Sequence, residues 1–152
     1  MDLDRYFMGV ALQEARRAQE EGEVPVGAVV VCHGRIVGRG HNQVERLQDP
    51  TAHAEILAIT AAARFLRSWR LEDCTLYVTL EPCMMCTGAL LLSRIREVVF
   101  AVEDPQRGFL VSRQRVNEVS WTGRPLIVRR GPGRDEAKGL LHEFFRNLRG
   151  VA

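Results

Sequence analysis

Between Cys74 and Leu92 the chain reads CTLYVTLEPCMMCTGALLL, a strand that passes directly into a helix. Side chains alternate inward and outward from Cys74 to Leu80, as is typical of a strand in a sheet. The almost wholly apolar run after Pro82 predicts a helix ending near Leu92, with the proline at a first-turn position that needs no backbone donor. A strand joined to a helix in this way indicates an α/β fold.

The flanking sequence supplies the remaining elements of such a fold. We predict helices over 4–20, about 52–67, 112–119 and from Ala137 to Leu148, and strands over 24–31, 35–40, 96–102 and 126–130. An opening hairpin followed by β-α-β units predicts a three-layer α-β-α sandwich on a mixed five-stranded sheet. Because no repeat or linker interrupts this order, we expect one domain over 1–152.

The composition excludes several classes of protein. The 152 residues are 46% hydrophobic and 26% charged, which rules out a disordered, collagenous or coiled-coil chain. No apolar stretch approaches the roughly 20 residues that span a bilayer, and no secretory signal is visible at the N-terminus. We therefore expect a cytoplasmic protein without a membrane partner, whose four cysteines are reduced or bound to metal.

The basic residues concentrate in the last third of the chain. Residues 94–152 carry twelve basic and seven acidic residues, whereas residues 1–93 carry nine arginines and twelve acidic residues. This asymmetry fits a polyanionic partner or an ordinary solvated surface equally well.

Two short clusters contain residues that can bind a metal, His53-Ala54-Glu55 and Pro82–Cys86. Cys83 and Cys86 are spaced to lie on one face of a helix start, as two ligands of one tetrahedral zinc would. The helix after His53 runs ~22 Å in one direction and the strand before Cys83 returns ~23 Å, so we expect all three residues to meet at the same end of the sheet. Three protein ligands leave a fourth zinc position open for water, the arrangement of a catalytic site.

Glu55 is the candidate general acid and base. A carboxylate at the same helix start can take a proton from a metal-activated water and deliver it to a leaving nitrogen.

Three alternatives remain open at this point. The Cys83-x-x-Cys86 pair could be a redox dithiol or half of a structural zinc site. A non-catalytic zinc protein that binds RNA or a partner is a further possibility, although it would have no use for Glu55. Cys32 and Cys74 are not spaced as a second pair, and we expect both to be reduced core thiols.

The chain also resembles a known family, the bacterial tRNA-specific adenosine deaminases of the zinc nucleobase-deaminase superfamily, whose signature His53-Ala54-Glu55 and Pro82–Cys86 match. The wider resemblance lies in Glu23–Ala28, His41-Asn42, Asp49–Glu55, Leu76–Cys83, Ser93-Arg94-Ile95 and Phe144-Phe145-Arg146. It implies a cytidine deaminase-like fold and hydrolytic deamination of adenosine to inosine at the tRNA wobble position by zinc-activated water.

The resemblance also implies roles for individual residues. His53, Cys83 and Cys86 would hold one Zn²⁺ per chain and Glu55 would shuttle protons. Asn42 and the Ala54 amide would bind the base, and Asp104 would contact a neighbouring nucleotide. The partners implied are a tRNA anticodon stem-loop and a second copy of the chain. The apolar helix 82–92 would contribute to that homodimer interface, unless its residues are ordinary core.

Two loops depart from the family pattern. Phe109-Leu110-Val111 stands where the family has a small-residue run, and Gly123-Arg124 where it has an Asn-His pair. These departures favour a rival hypothesis, a free nucleobase or nucleoside deaminase of the same fold that acts on guanine or cytosine. Five arginines could supply phosphate contacts instead, or could simply be solvated: Arg113, Arg115, Arg124, Arg129 and Arg130.

Overall fold

A mixed five-stranded sheet organises the chain in the computed structural model, which describes residues 2–115 and 124–150. The strands are β1 (Gly27–Cys32), β2 (Arg35–His41), β3 (Cys74–Leu80), β4 (Glu97–Val102) and β5 (Ile127–Arg130). The helices are α1 (Leu3–Glu20), α2 (Val44–Leu47), α3 (Ala54–Leu66), α4 (Met84–Leu92) and α5 (Arg134–Gly150).

The strand order in the sheet is β2-β1-β3-β4-β5. Strand β1 pairs antiparallel with both β2 and the central strand β3, whereas β3, β4 and β5 run parallel. The hairpin therefore forms one edge and the β-α-β crossover through α4 builds the other half. The predicted mixed sheet is confirmed.

Helices cover both faces of this sheet. One apolar cluster joins α3 and α4 to the side chains of Ala28, Val30, Leu76 and Val78. A second joins α1 and α5 to the alternating positions Val29, Val31, Tyr77 and Val99. Because successive strand residues point to opposite faces, the same strands line both clusters. The predicted three-layer sandwich is confirmed.

Two glycines bring β2 against the backbone of α3. A Cβ added at Gly38 would lie 2.4 Å from the Ala58 carbonyl oxygen, and one at Gly40 would lie 2.4 Å from that of Ala54. No side chain fits between the two backbones. The end of β2 is thereby fixed beside the first residue of α3.

Several predicted boundaries were wrong. β1 begins at Gly27 rather than residue 24, because Pro25 has no N–H and the Val26 N–H closes a tight turn onto the Val24 carbonyl. Pro82 precedes the N-cap of α4 instead of lying in its first turn, since Cys83 has an extended backbone. The short helix α2 lies in a polar stretch where we predicted none.

Two predicted helices, 52–67 and 112–119, also differ from the structure. The second predicted helix begins at Ala54 rather than 52, because the Asp49 carboxylate accepts the Thr51 N–H and hydroxyl and closes a separate turn. Residues 112–115 are irregular rather than helical, and the rest of the predicted 112–119 helix lies outside the described residues.

Cys32 and Cys74 are opposite partners at the end of the β1–β3 ladder. Cys74 is buried, Cys32 is half-buried, and both are free thiols, as predicted. Among the helices that are described, none has the length and apolar character needed to cross a membrane.

Candidate active site

His53, Cys83 and Cys86 converge at the end of the sheet where the central strand β3 finishes. His53 is the N-cap of α3, Cys83 is the N-cap of α4, and Cys86 lies in the first turn of α4. The Nδ1 of His53 lies 3.7 Å from the Cys83 Sγ and 3.5 Å from the Cys86 Sγ. A tetrahedral zinc would hold one nitrogen and one sulfur ligand about 3.6 Å apart. These three ligand atoms therefore fit a single zinc ion.

The charge of one of these side chains, Cys83, also suits a cation. The pKa of Cys83 is lowered to about 4, first by the hydrogen bond from Cys86 and then by the one from His53. The same Cys86–Cys83 hydrogen bond, together with burial, raises the pKa of Cys86. Its hydrogen bond with Cys83 raises the pKa of His53. Without metal, the site thus already contains a thiolate, the form of cysteine that binds Zn²⁺.

Glu55 lies in the first turn of α3 and is only 4% exposed. Burial raises the pKa of its carboxyl to about 7, and the nearby Cys83 thiolate acts in the same direction. A carboxyl with a pKa near neutrality can both accept and release a proton at physiological pH.

A cavity of about 630 Å³ opens onto this group. His53, Glu55, Cys83, Asn42 and Asp104 all line it. Ala54 is buried beside it, and its N–H donates a 2.7 Å hydrogen bond to the Asn42 Oδ1. The two groups expected to bind the base, the Ala54 N–H and the Asn42 side chain, are therefore hydrogen-bonded to each other.

Asp104 lies on the loop after β4, at the rim of the cavity. Its Oδ1 accepts hydrogen bonds from the N–H groups of Gln106 and Arg107, both at 3.1 Å. Its own N–H donates to Glu81. Five of the residues predicted for the site thus line one cavity, and the other two, Cys86 and Ala54, contact the lining residues His53 and Asn42.

Comparison with known proteins agrees with this geometry. Residues 1–102 match the family described as the cytidine and deoxycytidylate deaminase zinc-binding region. The tRNA-specific adenosine deaminase of Aquifex aeolicus (strain VF5) is 50% identical over 151 residues, which covers 95% of both chains. This chain belongs to the tRNA-specific adenosine deaminase family.

Two solved structures resemble this member of the adenosine deaminase family. One comes from studies of A-to-I editing by tRNA:A34 deaminases at the wobble position of transfer RNA. It has a TM-score of 0.82 and 40% identity, covering 90% of this chain and 99% of that chain. The guanine deaminase from Nitrosomonas europaea has a TM-score of 0.78 but only 28% identity, covering 91% of this chain and 82% of that one.

Membership of a zinc-binding deaminase family settles which alternative the Cys-x-x-Cys pair represents. The His53, Cys83 and Cys86 group is positioned to hold one Zn²⁺ per chain, and it is the one group of that kind in the part of the chain that the structure describes. The redox dithiol and the four-ligand structural site are both excluded.

Most of the arginines that could have contacted phosphate have acidic partners in this deaminase. Arg129 bonds Asp4 and Glu97, Arg130 bonds Glu103, and Arg124 pairs with Glu72. Arg113 donates to the Gln106 carbonyl on the 104–112 loop. Their first role in the described structure is to hold surface elements together.

Sequence reasoning missed other residues that line the cavity, among them Glu81, Arg107, Phe145 and Leu148. Phe145 belonged to a motif of the family resemblance, but nothing in its spacing indicated that α5 reaches the cavity. Glu81 directly precedes Pro82-Cys83, yet an acidic residue beside a metal ligand has no fixed role that a pattern could reveal.

Proposed function

We infer that this chain hydrolyses adenosine to inosine at the wobble position of a tRNA anticodon. The observation that carries this conclusion is the meeting of His53, Cys83, Cys86 and Glu55 at one cavity, in a chain 50% identical to a tRNA-specific adenosine deaminase. In the overall reaction, C6 of adenine gains an oxygen from water and loses its amino group as ammonia.

We assign the metal to His53, Cys83 and Cys86, because the spacing of their ligand atoms fits it and Cys83 is already a thiolate. When bound, zinc lowers the pKa of a coordinated water towards about 7, so hydroxide is available at neutral pH. The chain contributes by placing both thiols at one helix N-terminus, where the environment lowers the pKa of Cys83 and favours its ionised form.

Glu55 is assigned the proton transfers. It is buried beside the metal ligands and borders the cavity, and its pKa near 7 lets it carry one proton from water to the purine ring and then a second proton from the new C6 hydroxyl to the departing amine. One carboxyl therefore serves as base and then as acid.

Asn42 and Ala54 would bind the target base by exchanging partners. A base edge that accepts the Ala54 N–H must displace the Asn42 Oδ1 that now occupies it. Asn42 is then free to turn both its carbonyl and its amide group towards the purine.

The rest of the cavity suits nucleotides next to the target. Phe144, Phe145 and Leu148 of α5 line one side, and Asp104 and Arg107 line another. Unstacked bases of an RNA loop bind proteins by stacking on aromatic side chains and by hydrogen bonds to their edges. These contacts would compensate for unstacking the adenosine.

We also propose a homodimer through the outer face of α4. Met84, Gly88 and Leu92 recur every fourth residue on this face; Met84 is 67% exposed and Leu92 is 65% exposed. Exposed apolar residues that share a helix face are typical of an interface. Sedimentation equilibrium at micromolar concentration should give twice the 17.2 kDa of one chain. A species of single-chain mass would contradict the dimer.

Two further expectations concern the whole chain. We propose that residues 1–152 act as a single zinc-dependent deaminase domain, and that the protein works in the cytoplasm, where a tRNA substrate is found.

The decisive experiment compares substrates. The zinc-loaded protein should convert adenosine to inosine in a short anticodon stem-loop and ignore free adenosine, because flanking nucleotides supply much of the binding free energy. Rising salt should slow the reaction as contacts to phosphate are screened. The Glu55→Ala protein serves as the negative control.

The rival substrate is a free base, favoured by the fold shared with a guanine deaminase and by the altered loops. Rapid deamination of guanine or cytosine, with no reaction on the stem-loop, would replace the tRNA proposal by this one.

A further inference from the structure

Glu81 is a buried acidic residue outside the catalytic set. It lies between the end of β3 and Cys83, and only 2% of it is exposed. A carboxylate at such a depth is costly unless it is paired or richly hydrogen-bonded. No salt bridge involves Glu81 among the described residues, so hydrogen bonds must stabilise it.

All five donors to this carboxylate come from one loop. Oε1 accepts the Asp104 N–H at 3.0 Å and the Ser112 hydroxyl at 2.5 Å. Oε2 accepts the N–H groups of Leu110, Val111 and Ser112 at 3.0, 2.8 and 3.0 Å. Both ends of the 104–112 loop are thus attached to a single side chain.

Gly108 allows this close attachment. A Cβ at Gly108 would lie 2.3 Å from both the carboxyl carbon and the Oε1 of Glu81. The neighbouring Phe109 N–H donates to the Pro82 carbonyl at 2.9 Å. The loop therefore packs on the Glu81-Pro82 segment with no room for a side chain at residue 108.

Four of the five donors are backbone N–H groups, so the attachment does not depend on which side chains the loop carries. Removing the Ser112 hydroxyl would leave four hydrogen bonds in place. Removing the carboxylate would leave several N–H groups without an acceptor, each at a cost comparable to that of a lost hydrogen bond. Glu81 is the one side chain whose loss should release the whole loop.

We propose that Glu81 is a positioning residue that holds the 104–112 loop at the rim of the cavity. It thereby fixes Asp104 and Arg107 relative to Cys83, two residues away along the chain. The inference deepens the proposed function, on which it rests, by naming what sets the shape of the site for nucleotides flanking the target adenosine.

The first test is Glu81→Gln with Ser112→Ala as the matched control. The glutamine keeps the volume, but its NH₂ group must face N–H donors. We expect KM for the stem-loop to rise about tenfold or more, with a much smaller change in kcat, while Ser112→Ala stays within a few-fold of wild type. Zinc content should remain one per chain in both proteins.

A second test approaches the contact from the loop. Gly108→Ala should raise KM in the same way, because the added methyl group displaces the loop from Glu81. In the double variant the two effects should be strongly non-additive, since either change alone breaks the same attachment. If Glu81→Gln fails to fold, the KM and kcat of Gly108→Ala decide the question.

Amide hydrogen exchange gives a readout that needs no substrate. The N–H groups of Leu110, Val111 and Ser112 should exchange faster in Glu81→Gln than in wild type. The inference would be overturned if KM and amide exchange were both unchanged in Glu81→Gln. Additive effects in the double variant would also overturn it. So would a loss of zinc from Glu81→Gln while the amides of the 104–112 loop stay protected. A wild-type protein inactive on the stem-loop would instead refute the proposed function, and exchange would still report on the loop.

Discussion

Glu55 combines two properties that rarely occur together, deep burial and a position at the opening of a reactive cavity. Substitution by glutamine keeps its size and its contacts but removes the proton carrier. We expect Glu55→Gln to lower kcat on the stem-loop by at least 10²–10⁴-fold, because one group serves several transfers. Activity would be followed by inosine formation, and zinc content and unfolding temperature should match wild type. A variant within a few-fold of wild-type activity would exclude the assigned role.

Asn42 is buried and accepts the Ala54 N–H, so its loss affects the surface that should meet the reacting base. We expect Asn42→Ala to reduce kcat/KM on the stem-loop by tenfold or more, since a buried donor is left without its partner. Arg130→Ala is the matched control from the basic stretch, because Arg130 is exposed and pairs with Glu103. Equal losses in the two variants would argue against a contact between Asn42 and the base.

Among single residues, those that belong to short sequence motifs were predicted best. His53, Glu55, Cys83 and Cys86 lie within two clusters, and the lengths of the intervening helix and strand fix the geometry between them. Glu81 and Arg107 could not be predicted, because their positions depend on the path of the 104–112 loop. That path follows from backbone hydrogen bonds, which side-chain patterns do not record.

Among the elements, α1 is joined to the sheet by a polar cluster around Asp4. Arg129 of β5 donates to both Asp4 oxygens at 2.8 and 3.2 Å, and the Tyr77 hydroxyl donates at 2.6 Å. The hydrogen bonds from Arg129 hold the pKa of Asp4 below 3.8, against the opposing effect of burial. Ionised Asp4 therefore stabilises the fold above pH 3.8, and this contribution disappears as the pH falls through its lower folded-state pKa.

We expect Asp4→Asn to cost about 1 kcal/mol of unfolding free energy at pH 7, because the cluster is partly exposed. The difference from wild type should vanish as the pH falls from 4 towards 2. Denaturant titrations at each pH would measure it, and any loss of metal affects both proteins alike. Asp135→Asn is the control, since Asp135 is fully exposed. A difference that persists at low pH would contradict this account.

The boundaries of elements were harder to predict than their existence. All five strands and the four long helices were anticipated, because the spacing of apolar residues along each element reports burial on a sheet or helix face. The start of β1 and the place of Pro82 were wrong because local turns override periodicity at the ends of elements. The approach of β2 to α3 depends on two glycines whose importance appears only when the helix is in place.

For the molecule as a whole, the proposed metal would link the starts of α3 and α4 through His53 and Cys83, which are 30 residues apart in the chain. A ligand that binds only the folded state stabilises it by about 4 kcal/mol when present at a thousandfold excess over its Kd. We expect a strong chelator to lower the unfolding temperature by roughly 10 °C, and added zinc to restore it. Calorimetry would measure both changes.

The double variant Cys83→Ala, Cys86→Ala is the control for this experiment. It should contain no zinc, and chelator should not lower its unfolding temperature further. Full metal retention in the double variant would refute the assigned ligands.

The backbone contact made possible by Gly38 and Gly40 has a consequence for how the site tolerates change. Where a layer of side chains separates two elements, changes of rotamer can absorb a small shift of one element, so that the other does not move. No such layer of side chains separates β2 from α3. Asn42, directly after β2, and Ala54, at the start of α3, therefore keep their spacing without help from the eleven residues that join them. Apart from His53, which the metal site needs, the connecting segment is thereby freed from setting the precision of the site, and evolution can lengthen or rewrite it while the proposed base-binding pair stays in place.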